Sequence, residues 1–150
     1  MNAYFNQYQN TQVSTASREQ ILLMLYDGAI RFVRQAEEAM LDKNFSKKTQ
    51  MINKAMAIIS EFSATLDFEV GGEIAHNLYA LYDYMNRELI KGNISNDPGH
   101  LQIVHKLLTE LRETWAEAVE IYRKEKMADK NVTASSQKSI SEGRTLAVSL

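Results

Sequence analysis

The sequence predicts an all-α protein, an antiparallel up-down four-helix bundle with a short N-terminal arm and a mobile C-terminal tail. Three observations carry this. Apolar residues recur at alternating spacings of three and four, with almost no stretch of period two. Proline and glycine are scarce, one and six in 150 residues, and those present fall at informative places. Residues suited to capping helices stand at the breaks.

The first helix is expected from Ser17 to Leu41. Ser17 and Gln20 form a capping box, in which hydroxyl and side-chain amide each satisfy an orphan backbone N–H. Leu22, Leu25, Ala29, Phe32, Ala36 and Met40 follow as its inner stripe. The second helix is expected from Phe45 to Asp67, with Ile52, Ala55, Ile59, Phe62 and Leu66 inward. Gly71-Gly72 breaks it from the third, which carries Ala75, Leu78, Tyr82, Met85 and Leu89 and closes near Gly92 and Asn93. The fourth opens with Asp97 as N-cap and Pro98 at the first helical position, where the missing N–H costs nothing. Leu101, Val104, Leu108, Leu111, Trp115, Ala118 and Tyr122 form its stripe, and Arg123, Lys124 and Lys126 complement the dipole at its end. This divides the chain into an arm over residues 1–16, a bundle over 17–128 and a flexible Ser/Thr-rich tail over 129–150.

Composition excludes several functions. With 45% hydrophobic and 24% charged residues the chain is that of a globular domain. A net charge of -2, with basic and acidic residues interspersed, argues against binding nucleic acid or an anionic membrane. The absence of cysteine removes disulfides, thiolate metal sites and cysteine nucleophiles. No secretory leader and no membrane-spanning run is present, so the cytosol is the expected compartment.

Catalytic constellations are looked for and not found. Glu73 and His76 form one Glu-x-x-His pair, but a ferritin-like di-iron site needs two such pairs and two further glutamates. His100 and His105 follow Asp97 and Gln102, so neither completes a second pair. Glu73 also suits the first turn of a helix through the dipole alone. No Gly-x-Ser-x-Gly elbow and no phosphate-cradling loop occurs. No catalytic residue, metal or cofactor is expected.

The informative feature is a surplus of apolar side chains off the inner stripes. Met51, Met56 and Ile58 on the second helix, Tyr79 and Tyr84 on the third, and Ile103 and Leu107 on the fourth lie beside the core series. For any one of these a broad core face is an equal explanation. Together they are the material of a groove that takes apolar helices from a partner, and seven methionines suit an adaptable surface. Tyr4, Phe5 and Tyr8 on the arm would cover such a groove when it is empty. Two other classes stay open on these residues: a ferritin-like metal-binding bundle, and a self-associating structural bundle whose surplus stripe pairs in a homodimer.

Several stretches in order resemble the flagellar export chaperones of the FliS family. They are Tyr8-Gln9-Asn10 with Thr15-Ala16-Ser17, the run from Leu22 to Phe32, Lys54-Ala55 with Ile58-Ile59, Gly71-Gly72-Glu73-Ile74-Ala75, Leu81-Tyr82-Asp83-Tyr84-Met85 and Leu111-Arg112-Glu113-Thr114-Trp115. One departure is Arg18, where the family usually has proline. The resemblance implies a cytosolic, non-enzymatic bundle that binds the C-terminal helical region of flagellin and prevents its premature polymerisation. It also implies delivery of that cargo to the cytoplasmic domain of an export gate protein of the flagellar type III apparatus. An N-terminal tyrosine arm covers the empty site in that family, which here falls on Tyr4 and Tyr8.

Overall fold

The computed structural model describes residues 17–149, with side chains through residue 136. The expected arm, including Tyr4 and Tyr8, lies outside the described residues. Four helices follow one another: α1 (Arg18–Leu41), α2 (Phe45–Ala64), α3 (Phe68–Ser95) and α4 (Pro98–Ser149). The chain divides into two compact units, Met1–Glu113 and Thr114–Leu150. The first holds α1, α2, α3 and the opening turns of α4 as an antiparallel bundle. The second holds the rest of α4.

Each start follows from its capping chemistry. The Ser17 hydroxyl accepts from the Gln20 N–H and the Gln20 side chain accepts from the Ser17 N–H, both at 3.2 Å. Asn44 accepts from the Lys47 N–H at the head of α2. Between α1 and α2 the chain reverses through Lys43, whose φ of 58° lies in the left-handed region. The end of α3 uses the same device at Asn96, φ 56°, whose N–H donates to the Gly92 carbonyl. Asp97 accepts from the Gly99 N–H at 2.9 Å, as its expected role at the head of α4 requires.

Three boundaries differ from the sequence expectation. The second helix stops at Ala64, and the break falls at Thr65–Asp67 rather than at the glycine pair. Asp67 accepts from the N–H groups of Glu69 and Val70, so a capped turn begins ahead of Gly71. The pair instead makes a kink inside α3, at Gly72 (φ 50°, ψ -125°), dihedrals open to glycine and costly for other residues. At the other end, α3 runs on past Gly92 to Ser95. Finally, α4 does not stop near Lys126 but is helical to Ser149. What changes along α4 is burial: every described residue from Glu120 to Ser136 is exposed.

The core is a ladder of side chains at helical spacing. Tyr26, Ala29, Val33, Ala36 and Met40 come from α1, and Ile52, Ala55, Ile59 and Phe62 from α2. Ala75, Tyr82, Met85 and Leu89 from α3 meet Leu101, Val104 and Leu108 from α4. Each large aliphatic among them contributes about 1.5–3 kcal/mol by leaving water. At mid-core Tyr26 stacks on Phe62 with centroids 4.3 Å apart, Phe62 lies 5.5 Å from Tyr82, and the two tyrosine hydroxyls share a 2.7 Å hydrogen bond. The bond satisfies polar atoms that burial would otherwise leave costly.

All four expected core series are shorter than predicted: Leu66 falls beyond the end of α2, and it and Leu78 of α3 are half-buried. On α4 the fully buried stripe ends at Leu108; Leu111 and Trp115 are half-buried and Ala118 and Tyr122 exposed. On α1, Leu22 and Phe32 are half-buried and Leu25 is 38% exposed. Tyr26 and Val33 hold the core positions instead, one residue further along the chain. The six-residue apolar run Ile21–Tyr26 covers every face of the helix, so periodicity alone could not select the inner one.

Antiparallel pairing shows in the cross-links. Glu37 of α1 accepts from Gln102 of α4 at 2.8 Å, while Asp27, earlier on α1, accepts from Arg112, later on α4, at 3.0 Å.

A candidate helix-binding groove between α1 and α2

The residues displaced from the core of α1 form one wall of an apolar groove. Ile21, Met24 and Leu25 rise along α1, Gly28 makes the floor, and Phe32 closes it together with Arg31. Ile58 of α2 forms the opposite wall. The cavity has a volume of about 280 Å³, and Met24 and Leu25 remain 40% and 38% exposed beside it. That is room for a few apolar side chains of a docked helix.

Local sequence explains the shape. At Gly28 the missing side chain leaves the floor open: an added Cβ would stand 3.5 Å from the Ile58 Cδ1, in ordinary contact. Phe32 is held from two sides, with the Arg31 guanidinium of α1 and the Lys54 ammonium of α2 each 5.5 Å from its ring centroid.

The expected partner-binding residues are dispersed by the fold. Ile58 lines the groove. Met51 does not: at 7% exposure it belongs to the core, next to Ile52. Met56 and Leu107 are half-buried, and neither lines this groove. Tyr79, half exposed, stands on α3 with its ring 6.1 Å from Phe68. Ile103 is 41% exposed on α4. Of the groove residues on α1, three-four spacing places Leu25 and Phe32 on the inner stripe and singles out neither Ile21 nor Met24; the signal for all of them is the unbroken apolar run itself.

Of the residues weighed for metal binding, Glu73 and His76 are exposed, and the His76 ring packs 4.7 Å from Phe68. Among the described residues no group of three or more histidine, aspartate or glutamate side chains gathers. Nor is any helix of the described residues long and apolar enough to cross a membrane.

The end of the bundle away from the groove is polar and locked. Lys48, 4% exposed, donates to the Asn93 carbonyl at 2.9 Å and to the Asn96 side chain. Glu88, 5% exposed, accepts from Nδ1 of His100 at 2.6 Å and lies 3.5 Å from Lys91. The hydrogen bond from His100 is the largest cause that holds the Glu88 carboxyl below the usual glutamate value, with Lys91 adding to it against the opposing effect of burial.

A small antiparallel bundle with an open apolar groove defines the class: a helical protein built on the fold of the flagellar chaperones. A solved structure described as a flagellar chaperone from bacteria superimposes with a TM-score of 0.65, covering 79% of this chain and 96% of that one at 16% identity. Residues 1–122 match the family described as Flagellar protein FliS, and the chain belongs to that family. The flagellar secretion chaperone FliS of Bacillus subtilis is 35% identical over 122 residues, 81% of this chain and 90% of its own length. That of Salmonella typhimurium is 38% identical over 114 residues, covering 75% and 84%. The Vibrio cholerae chaperone is 36% identical over 115 residues, covering 77% and 85%. This is a family of secretion chaperones, not a class of enzymes.

Proposed function

We propose that this chain is a cytosolic export chaperone that takes the C-terminal helical segment of flagellin into the α1/α2 groove. There it shields the segment from premature polymerisation until delivery to the flagellar export gate. The observation that carries the reading is the groove itself: Met24, Leu25 and Ile58 present apolar surface around a cavity of about 280 Å³. An apolar filament-forming segment is an aggregation hazard while unpaired. Covering it requires complementary apolar surface and no chemistry. In the same reading Tyr4 and Tyr8 of the N-terminal arm occupy the groove in the absence of cargo, since the arm joins α1 only a few residues before Ile21.

Titration calorimetry with the C-terminal segment of a flagellin from the same organism tests this. The expected result is one-to-one saturation with a large negative heat-capacity change, the mark of apolar burial coupled to folding of the segment. Ile58→Asp should abolish that binding while leaving the helical circular dichroism intact. Undiminished binding by the Ile58→Asp protein would place the cargo elsewhere.

A further inference from the structure

Two cations without a carboxylate partner among the described residues stand at Phe32: Arg31, which lines the groove, and Lys54, which reaches the same ring from α2. Arg31 comes from α1 and Lys54 from α2, and they flank the same Phe32 ring at 5.5 Å each. Among the described residues neither takes part in an ion pair. The acid one turn before Arg31 is Asp27, and it is already held by Arg112 at 3.0 Å. Lys54 has no aspartate or glutamate within four residues on either side. Nor does the sequence ahead of Ser17 contain an acidic residue.

A solvent-accessible cation gains little from a neighbouring ring, and a helix settling into the groove removes water from both cations. If that helix brings no acid, the lost hydration is uncompensated; if it brings one, the pair forms in partly desolvated surroundings, where it counts for more than on open surface. We infer that the groove selects an amphipathic helical segment with an aspartate or glutamate at the edge of its apolar face, which pairs with Arg31 and Lys54 across Phe32. This rests on the reading of the groove as the flagellin site and adds which segment of the cargo it accepts. It also separates cargo from the chain's own arm: both offer apolar side chains, but only an acidic segment neutralises the rim.

The test compares the full-length wild type, the Arg31→Glu/Lys54→Glu and Arg31→Gln/Lys54→Gln proteins, and Ile58→Asp. Each is titrated with the flagellin C-terminal segment at about 50 mM and about 500 mM salt, where screening lengths differ about threefold. Circular dichroism confirms that each variant is folded. The expected result at low salt is about tenfold weaker binding for the charge reversal and a smaller loss for the neutral variant, with the gap to wild type narrowing at high salt. Replacing the acidic edge residue of the segment by lysine should restore its binding to the reversed protein. Equal affinity of wild type and charge reversal at low salt overturns the selection of an acid, as does a loss that no acid-to-lysine segment restores. Failure of the wild type to bind, or binding unaffected by Ile58→Asp, fails the groove reading itself and the inference with it.

Discussion

The two ends of the bundle are built on opposite principles. At the end where α1 turns into α2 and α3 into α4, buried polar groups tie elements together: Lys48 of α2 to Asn93 and Asn96, and Glu88 of α3 to His100 of α4. Gly92 lets the head of α4 approach closely, since an added Cβ would collide with Leu101 and meet the His100 Cβ at 3.1 Å. At the other end α1 and α2 line the apolar groove, and α3 begins with a capped turn and a glycine kink. Buried hydrogen-bonded charges are costly to disturb and specify one geometry. Beside the groove α1 is tied by the Tyr26–Tyr82 bond and the Asp27–Arg112 pair, but the groove walls themselves are apolar and can accept side chains from outside. The locked end ties α2, α3 and the head of α4 together, and the proposed function places binding at the open end.

Matched substitutions at the two ends sharpen this contrast. Leu101→Ala, at a fully buried position of the locked end, should cost about 3 kcal/mol in urea unfolding. Leu25→Ala at the groove should cost less, about 1–2 kcal/mol, because 38% of that residue already faces water. Equal costs would break the comparison. Lys48→Met keeps the packing of the stem but leaves the Asn93 carbonyl and Asn96 side chain without their charged donor. It should cost roughly 2 kcal/mol, with no loss of cargo affinity in the same calorimetric titration.

The two glycines give effects opposite in sign to each other. Gly28→Ala should raise stability by about 1 kcal/mol, since alanine is the better helix former and its Cβ meets only ordinary contacts. Gly92→Ala should lower the melting temperature through the collision with Leu101. The smallest effect is on pH dependence. Glu88 titrates below its ordinary value when folded, so its contribution is present above the ordinary carboxylate range and fades as pH falls through and below it. Glu88→Gln should flatten stability against pH in that acid window. A wild-type profile no steeper than that of the Gln protein would contradict the Glu88–His100 link.

Much of the fold was legible because its signals are local. The capping box at Ser17, Asp97 before Pro98, and the core series of α2 and α3 depend on neighbours within a turn or two. The site was less legible. Choosing Tyr26 over Leu25 for the core depends on Phe62 and Tyr82, 36 and 56 positions away along the chain. Met51 was assigned to the groove and Phe32 to the core because three-four spacing does not say how far apart two facing helices stand. The glycine pair reads as a break in the sequence, and what distinguishes the kink from a stop is the cap at Asp67 one turn earlier. Trp115, half-buried rather than core, should accordingly cost less when cut to alanine than Leu108.

The claim that the open end is the binding end is tested most directly by methyl NMR of the full chain during titration with the flagellin C-terminal segment. The predicted result is shifts at Ile21, Met24, Leu25 and Ile58, with Leu101 and the exposed Ile90 and Ile94 of the locked end unmoved. Shifts concentrated at Ile90 and Ile94, with the groove methyls silent, would contradict it.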